Sequence, residues 1–173
     1  MKIGAMVATE KGGPGVLKRA QVDLAWPRGP LDVLVELKAA ALNPADIFFR
    51  QLGGYVAGPE PFVLGHDGMG IVKEIGPAVT LVRPGDRVCF CNGGIGGALG
   101  TYAEAAVVPE WQLALVPDAV DDLTAAALPL VAITCWESLY ERAAVQPGEF
   151  VLIHGGAGGT GHVAVQLAAL RGA

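Results

Sequence analysis

From Phe150 to Gly172 the chain reads FVLIHGGAGGTGHVAVQLAALRG. The positions in it best suited to chemistry are those without side chains, Gly156-x-Gly158-x-x-Gly161, with Gly159 and Thr160 between the last two. Bare positions let a backbone turn sharply and approach a diphosphate closely. The first N–H groups of a following helix then face the anionic charge with the helix dipole behind them. That chemistry is the holding of a dinucleotide, and it needs a strand before the glycines and a helix after them. Both are legible here. The apolar run Phe150-Val151-Leu152-Ile153 predicts a fully buried strand, and Val163, Gln166, Leu167 and Leu170 recur at helical spacing from about Gly161 onward.

The acidic or basic residue that would read the ribose of such a cofactor belongs about 20 residues further on, and the chain stops at Ala173. One strand and one helix cannot bury their own apolar faces. The expectation is therefore the N-terminal part of a longer protein. A second glycine run, Gly93 to Gly100, has no Lys and no Ser/Thr in the position a phosphate loop requires, and it reads as a loop only.

Composition narrows the field. A net charge of −5 without a basic cluster argues against a nucleic-acid partner. Pro, Gly or charge interrupts every apolar run before it reaches membrane-spanning length. Met1 to Thr9 has no signal-peptide pattern, which points to the cytoplasm. Cys89, Cys91 and Cys135 are too few and too badly spaced for a disulfide framework or a four-ligand metal cluster, and read as reduced thiols.

The positioning elements follow in order. Lys2–Ala8 and Val16–Leu24 read as strands around a Gly/Pro turn. Asp32–Lys38 reads as a half-buried strand with Val33, Val35 and Leu37 on one face. Asn43-Pro44 opens a helix through Arg50, Asn43 having the side chain of an N-cap. Leu52–Pro61 is a loop carrying Tyr55, and short strands at Ile71–Ile75, Arg87–Cys91, Thr101–Val108 and Trp111–Val116 complete a mostly antiparallel, barrel-like domain. At Asp121 the pattern turns helical, with a break at Pro129. The predicted domains are 1–120 and 121–173, α/β overall.

Taken together, MVATEKGGPGVLK, LVELKAAALNPADIFFR, LGHDGMGIVKEIG, PGDRVCF, GTYAEAAVVP and PGEFVLIHGGAGGTG resemble the medium-chain dehydrogenase/reductase superfamily, and Gly148–Gln166 its zinc-free quinone oxidoreductase branch. Ala169 departs from that pattern. The resemblance implies a GroES-like β-barrel domain followed by the first βα unit of a Rossmann domain. It implies an NADPH-dependent reductase of quinones or α,β-unsaturated carbonyls, NADH being the other nicotinamide open to it, and a homodimer when full length. Asn43 and Tyr55 would line the substrate cleft as catalytic residues. Thr134 would lie near the nicotinamide, and Gly156, Gly158, Gly159, Thr160 and Gly161 at the pyrophosphate. The zinc ligands of related alcohol dehydrogenases fall on Asn43, His66 and Leu130, of which only His66 suits zinc, so no metal is expected. His66 is expected to be packed and hydrogen-bonded near Asp67. Two other functions stand beside this one: a zinc-type alcohol dehydrogenase with unusual ligands, and a non-catalytic interaction protein retaining the fold.

Overall fold

The computed structural model describes residues 1–52, 62–92 and 99–173. These form two compact units, Met1–Ala127 and Leu128–Ala173. Of the second glycine run, Gly93–Ala98 lie outside the described residues.

The first unit is built of short strands because Gly and Pro recur every few residues and stop each one. Strands β1 (Lys2–Ala8), β2 (Leu17–Asp23) and β4 (Phe62–Val63) form one antiparallel sheet, ordered β2-β1-β4. Strands β3 (Asp32–Ala40), β5 (Asp67–Ile75), β6 (Arg87–Cys91), β7 (Ala105–Pro109) and β8 (Leu113–Leu115) form a second, ordered β7-β3-β5-β6-β8. The segment entering β7 stitches the two together: Ala103 bridges Ala5, and Met6 and Gly4 exchange backbone bonds with Tyr102 and Glu104. The mostly antiparallel domain expected from the turns is present.

Several details differ from the sequence reading. The strand expected at Thr101–Val108 is Ala105–Pro109, and of Trp111–Val116 only Leu113–Leu115 is strand, Trp111 and Gln112 lying in a 3-10 turn. Strand β3 was expected to bury one face, yet Val33, Leu34 and Val35 are all buried. Leu34 packs with Ile3 and Leu24 on one side, while Val33 and Val35 join Val72, Val88 and Phe90 on the other. A strand in the middle of a curled sheet has apolar neighbours on both faces, which alternation alone cannot show. Strand β5 begins at Asp67 rather than Ile71. Gly68 and Gly70 do not end it, because β3 and β6 supply ladder partners on both sides. A Cβ on Gly70 would stand 2.2 Å from the Glu36 carbonyl oxygen, so the close approach of β3 at its bulge demands glycine there.

Helix α1 (Pro44–Leu52) follows β3, and α2 (Asp122–Ala127) closes the unit, with the Asp121 carboxylate accepting the amides of Leu123 and Thr124 as its cap.

In the second unit, α3 (Pro129–Trp136) runs into a π-helical segment (Glu137–Arg142), and α4 (Gly159–Arg171) packs against both. Pro129 separates α2 from α3 as expected. The core is Cys135, Leu139, Val145, Val163, Ala164 and Ala168. The stripe of α4 is thus made partly of alanines, and Leu170, one of the four residues at helical spacing, is 81% exposed. Tyr140 pins the pair of helices by donating to the Leu167 carbonyl at 2.7 Å.

The predicted buried strand at Phe150–Ile153 is corrected. It pairs with no strand among the described residues. Val151 and Ile153 pack on the core, whereas Phe150 and Leu152 are 106% and 81% exposed. The side-chain alternation of a strand is there, but a parallel strand is completed only by neighbours, and α3 and α4 cover one face alone. Among the described residues no helix is long and apolar enough to cross a membrane.

Candidate active site

In the first unit, the turn from β3 into α1 and the entry into β5 bring four polar side chains together. Asp46 lies in the first turn of α1 and is 4% exposed. Its Oδ2 accepts the Asn43 backbone N–H and the Tyr102 hydroxyl, both at 2.8 Å. Its Oδ1 accepts the Gly65 amide at 3.2 Å and pairs with His66 Nδ1 at 2.6 Å. A carboxylate has no proton to give when ionised, so all four partners donate and His66 carries hydrogen on Nδ1. Burial by itself would raise the Asp46 carboxyl. The bonds from His66, Asn43 and Tyr102 outweigh that and hold it below the ordinary carboxylate range. The same contact acts oppositely on its partner: burial first, then the hydrogen bond to Asp46, pushes the Tyr102 phenol far up, so it stays protonated.

Local sequence explains part of this geometry. Asn43 and Asp46 have the three-residue spacing at which a helix's third residue reaches back to the N-cap amide. Gly65 is at φ +105°, a conformation that turns its amide toward Asp46 with little strain only for glycine. The His66 ring stacks against Phe49 of α1, centroids 4.8 Å apart.

Asn43 was read as having an N-cap side chain, and that is corrected. Its Nδ2 donates to Asp67 Oδ2 at 2.8 Å, and its amide side chain makes no bond to the first-turn amides among the described residues. His66 was expected near Asp67 and is instead bound to Asp46. His66 lies in the bend just before β5 and Asp67 is the strand's first residue, and the two side chains meet different partners, Asp46 and Asn43. Asp67 is fully buried, and its charge adds to burial in raising the Cys89 thiol.

Sequence reasoning missed Asp46 and Tyr102. Asp46 had a usable signal in its capping-box spacing after Asn43. Tyr102 had none, being 56 residues away along the chain. Tyr55 lies outside the described residues.

The remaining predicted residues belong to the second unit. Gly158 caps α4, the Gly158 amide closes a turn onto the Gly155 carbonyl at 2.8 Å, and the first helical bond runs from His162 N–H to Gly158. The amides of Gly159, Thr160 and Gly161 therefore precede any i−4 acceptor in the helix. The glycines differ in why they are needed. A Cβ on Gly161 would stand 2.1 Å from the Gly155 carbonyl oxygen, whereas one on Gly159 would meet nothing within 4 Å. Gly161 is required by the protein's own packing, and Gly159 borders open space. Thr134 is exposed on α3 and gives its hydroxyl proton to the Leu130 carbonyl at 2.8 Å. The Cys135 thiol, raised by burial, reaches the Thr160 carbonyl at 3.2 Å and fixes α3 to the glycine turn.

A dinucleotide fits the glycine turn, which offers consecutive amides, an exposed lip and open space at Gly159. Zinc does not fit the first unit in the same way. Asn43 offers an amide oxygen where a thiolate would be needed, and no three His, Cys, Asp or Glu side chains among the described residues gather at metal-binding distance.

Comparison with known proteins gives a consistent setting. Residues 29–118 match the alcohol dehydrogenase GroES-like domain. The chain is 38% identical over 161 residues to a quinone oxidoreductase of Pseudomonas aeruginosa, covering 93% of this chain and 48% of that protein. It resembles the crystal structure of an alcohol dehydrogenase superfamily protein from Novosphingobium aromaticivorans at TM-score 0.88 and 43% identity, over 98% of this chain and 51% of that one. A mycobacterial protein solved in complex with NADPH is similar at TM-score 0.81 and 36% identity, over 98% of this chain and 50% of the other. The chain spans about half the length of the curated relatives it matches.

Proposed function

We propose, from the premise that this chain belongs to the alcohol dehydrogenase family with a GroES-like domain, that it is part of an NADPH-dependent, zinc-independent oxidoreductase reducing quinones or α,β-unsaturated carbonyls. The observation that carries the reading is the glycine turn at α4, where three successive amides precede the first helical bond beside open space at Gly159. The NADPH complex of a structural relative and the quinone oxidoreductase name of a sequence relative support it. NADPH bound there would supply a hydride to the electrophilic carbon.

The chain's own part is to bind and to orient. Amides of Gly159, Thr160 and Gly161, with the bare Gly156 and Gly158, take the diphosphate. Thr134 has spent its proton on Leu130 and keeps lone pairs with which to accept the nicotinamide carboxamide N–H. Asn43, held by Asp67 through one N–H, retains a second to direct at the carbonyl oxygen where charge develops, with Tyr55 as its partner donor. Asp46 keeps that wall rigid. Zinc independence rests on the donor set: an amide at Asn43 and an alkyl chain at Leu130 are poor substitutes for thiolates. The same reading makes the full-length enzyme a cytoplasmic homodimer.

The test is full-length protein with NADPH and a panel of small quinones and enones. Loss of NADPH absorbance with at least one of them is expected, together with zinc well below one equivalent by metal analysis. No turnover with any member, or stoichiometric zinc, would overturn the proposal.

A further inference from the structure

We infer that the cavity beside α1 in the first unit binds a small monocarboxylate with an apolar tail. The cavity measures about 380 Å³, within the range of small-molecule sites. Leu17, Leu42, Ile47 and Leu64 supply apolar wall. Of the polar side chains in the lining, Asn43, Asp46, Tyr102 and Arg50, all but one are neutral or negative. Tyr102 gives its hydroxyl proton to Asp46, both oxygens of Asp46 hold two donors each, and Asn43 Nδ2 serves Asp67.

The exception is Arg50. Its Nε donates to the Gly12 carbonyl at 3.0 Å, which fixes the plane of the guanidinium, and it forms no ion pair among the described residues. A guanidinium has five N–H donors, so the edge left over matches a carboxylate in two parallel bonds. Apolar walls around one partly buried cation select an amphipathic anion. The ionised Asp46 in the same lining favours a single negative charge over the double charge of phosphate. The inference concerns binding in the first unit, at a cavity that shares Asn43 with the proposed substrate wall, and calorimetry with a saturated acid reads it without the redox reaction.

It is tested by calorimetry on the full-length protein with hexanoate, hexanamide and inorganic phosphate. Hexanoate is saturated and reports binding alone. Wild type should bind hexanoate at least tenfold more tightly than either alternative, and Arg50→Gln should abolish the preference. Because Arg50 also holds Gly12, a second variant, Ile47→Trp, fills the cavity from its half-exposed wall and leaves the guanidinium in place. It should lose hexanoate with an unchanged unfolding midpoint. Equal affinity for acid and amide, tighter binding of phosphate, a preference that survives Arg50→Gln, or binding that survives Ile47→Trp would each overturn the assignment.

Discussion

The Asp46 network and the glycine turn both contain polar groups set out in a row, and they differ in what those groups face. Around Asp46 the donors converge on one protein carboxylate: the Asn43 and Gly65 amides, His66 and the Tyr102 hydroxyl all end on Asp46, and one N–H of the Asn43 side chain ends on Asp67. At Gly159–Gly161 the donors precede the helix's own acceptors and the lip is largely exposed. The Asp46 carboxylate has its donors without a ligand and confers rigidity. The glycine turn is completed by one. Damage to the two should therefore register in different measurements, the first in stability and the second in affinity.

The largest effect should come from Asp46→Ala. It leaves His66 and three other donors without their acceptor inside the protein, a loss of about 3–5 kcal/mol by the usual cost of breaking a buried pair, read as a lower urea midpoint. The pH dependence sharpens this. A carboxyl held below its ordinary value stabilises the fold above that value and loses its contribution as pH falls through the lowered one. The stability gap between wild type and Asp46→Asn should hold from neutrality to about pH 4 and then shrink. A gap that widened in acid would refute the assignment of charge.

Next in size is Gly161→Ala. With a Cβ placed 2.1 Å from the Gly155 carbonyl oxygen the turn must move, and NADPH affinity of the full-length protein should fall at least tenfold, about 1.4 kcal/mol. Gly159→Ala is the sharper companion. Its Cβ meets nothing in the protein, so unfolding should change by no more than about 0.5 kcal/mol while NADPH affinity still falls. If both variants bound NADPH as wild type does, the turn would not be the cofactor's seat. The smallest effect belongs to Tyr102→Phe, which removes one of four donors at a cost of about 1 kcal/mol and should leave NADPH affinity unchanged.

How far the sequence could be read follows the range of the interactions. Helix α1 was readable from Asn43-Pro44, the break at Pro129 from proline itself, and the turn at α4 from its glycines. Each signal acts within a few residues. The Asn43 side chain was read as a cap because a capping side chain and a strand-facing amide look alike until β5 is placed beside it. Phe150–Ile153 was legible as a strand by composition, but its burial required partners that its own residues do not specify.

The amino-acid order by itself determined the short strands, the two helical starts and a helix mouth clear of side chains, since these depend on backbone freedom and local hydrogen bonding. Only the tertiary structure decided that Asp46 gathers donors from residues 43, 65, 66 and 102 and that Arg50 reaches back to the Gly12 carbonyl. Those contacts join segments up to 56 residues apart. At that separation it is sheet packing, and not any local preference, that places a side chain.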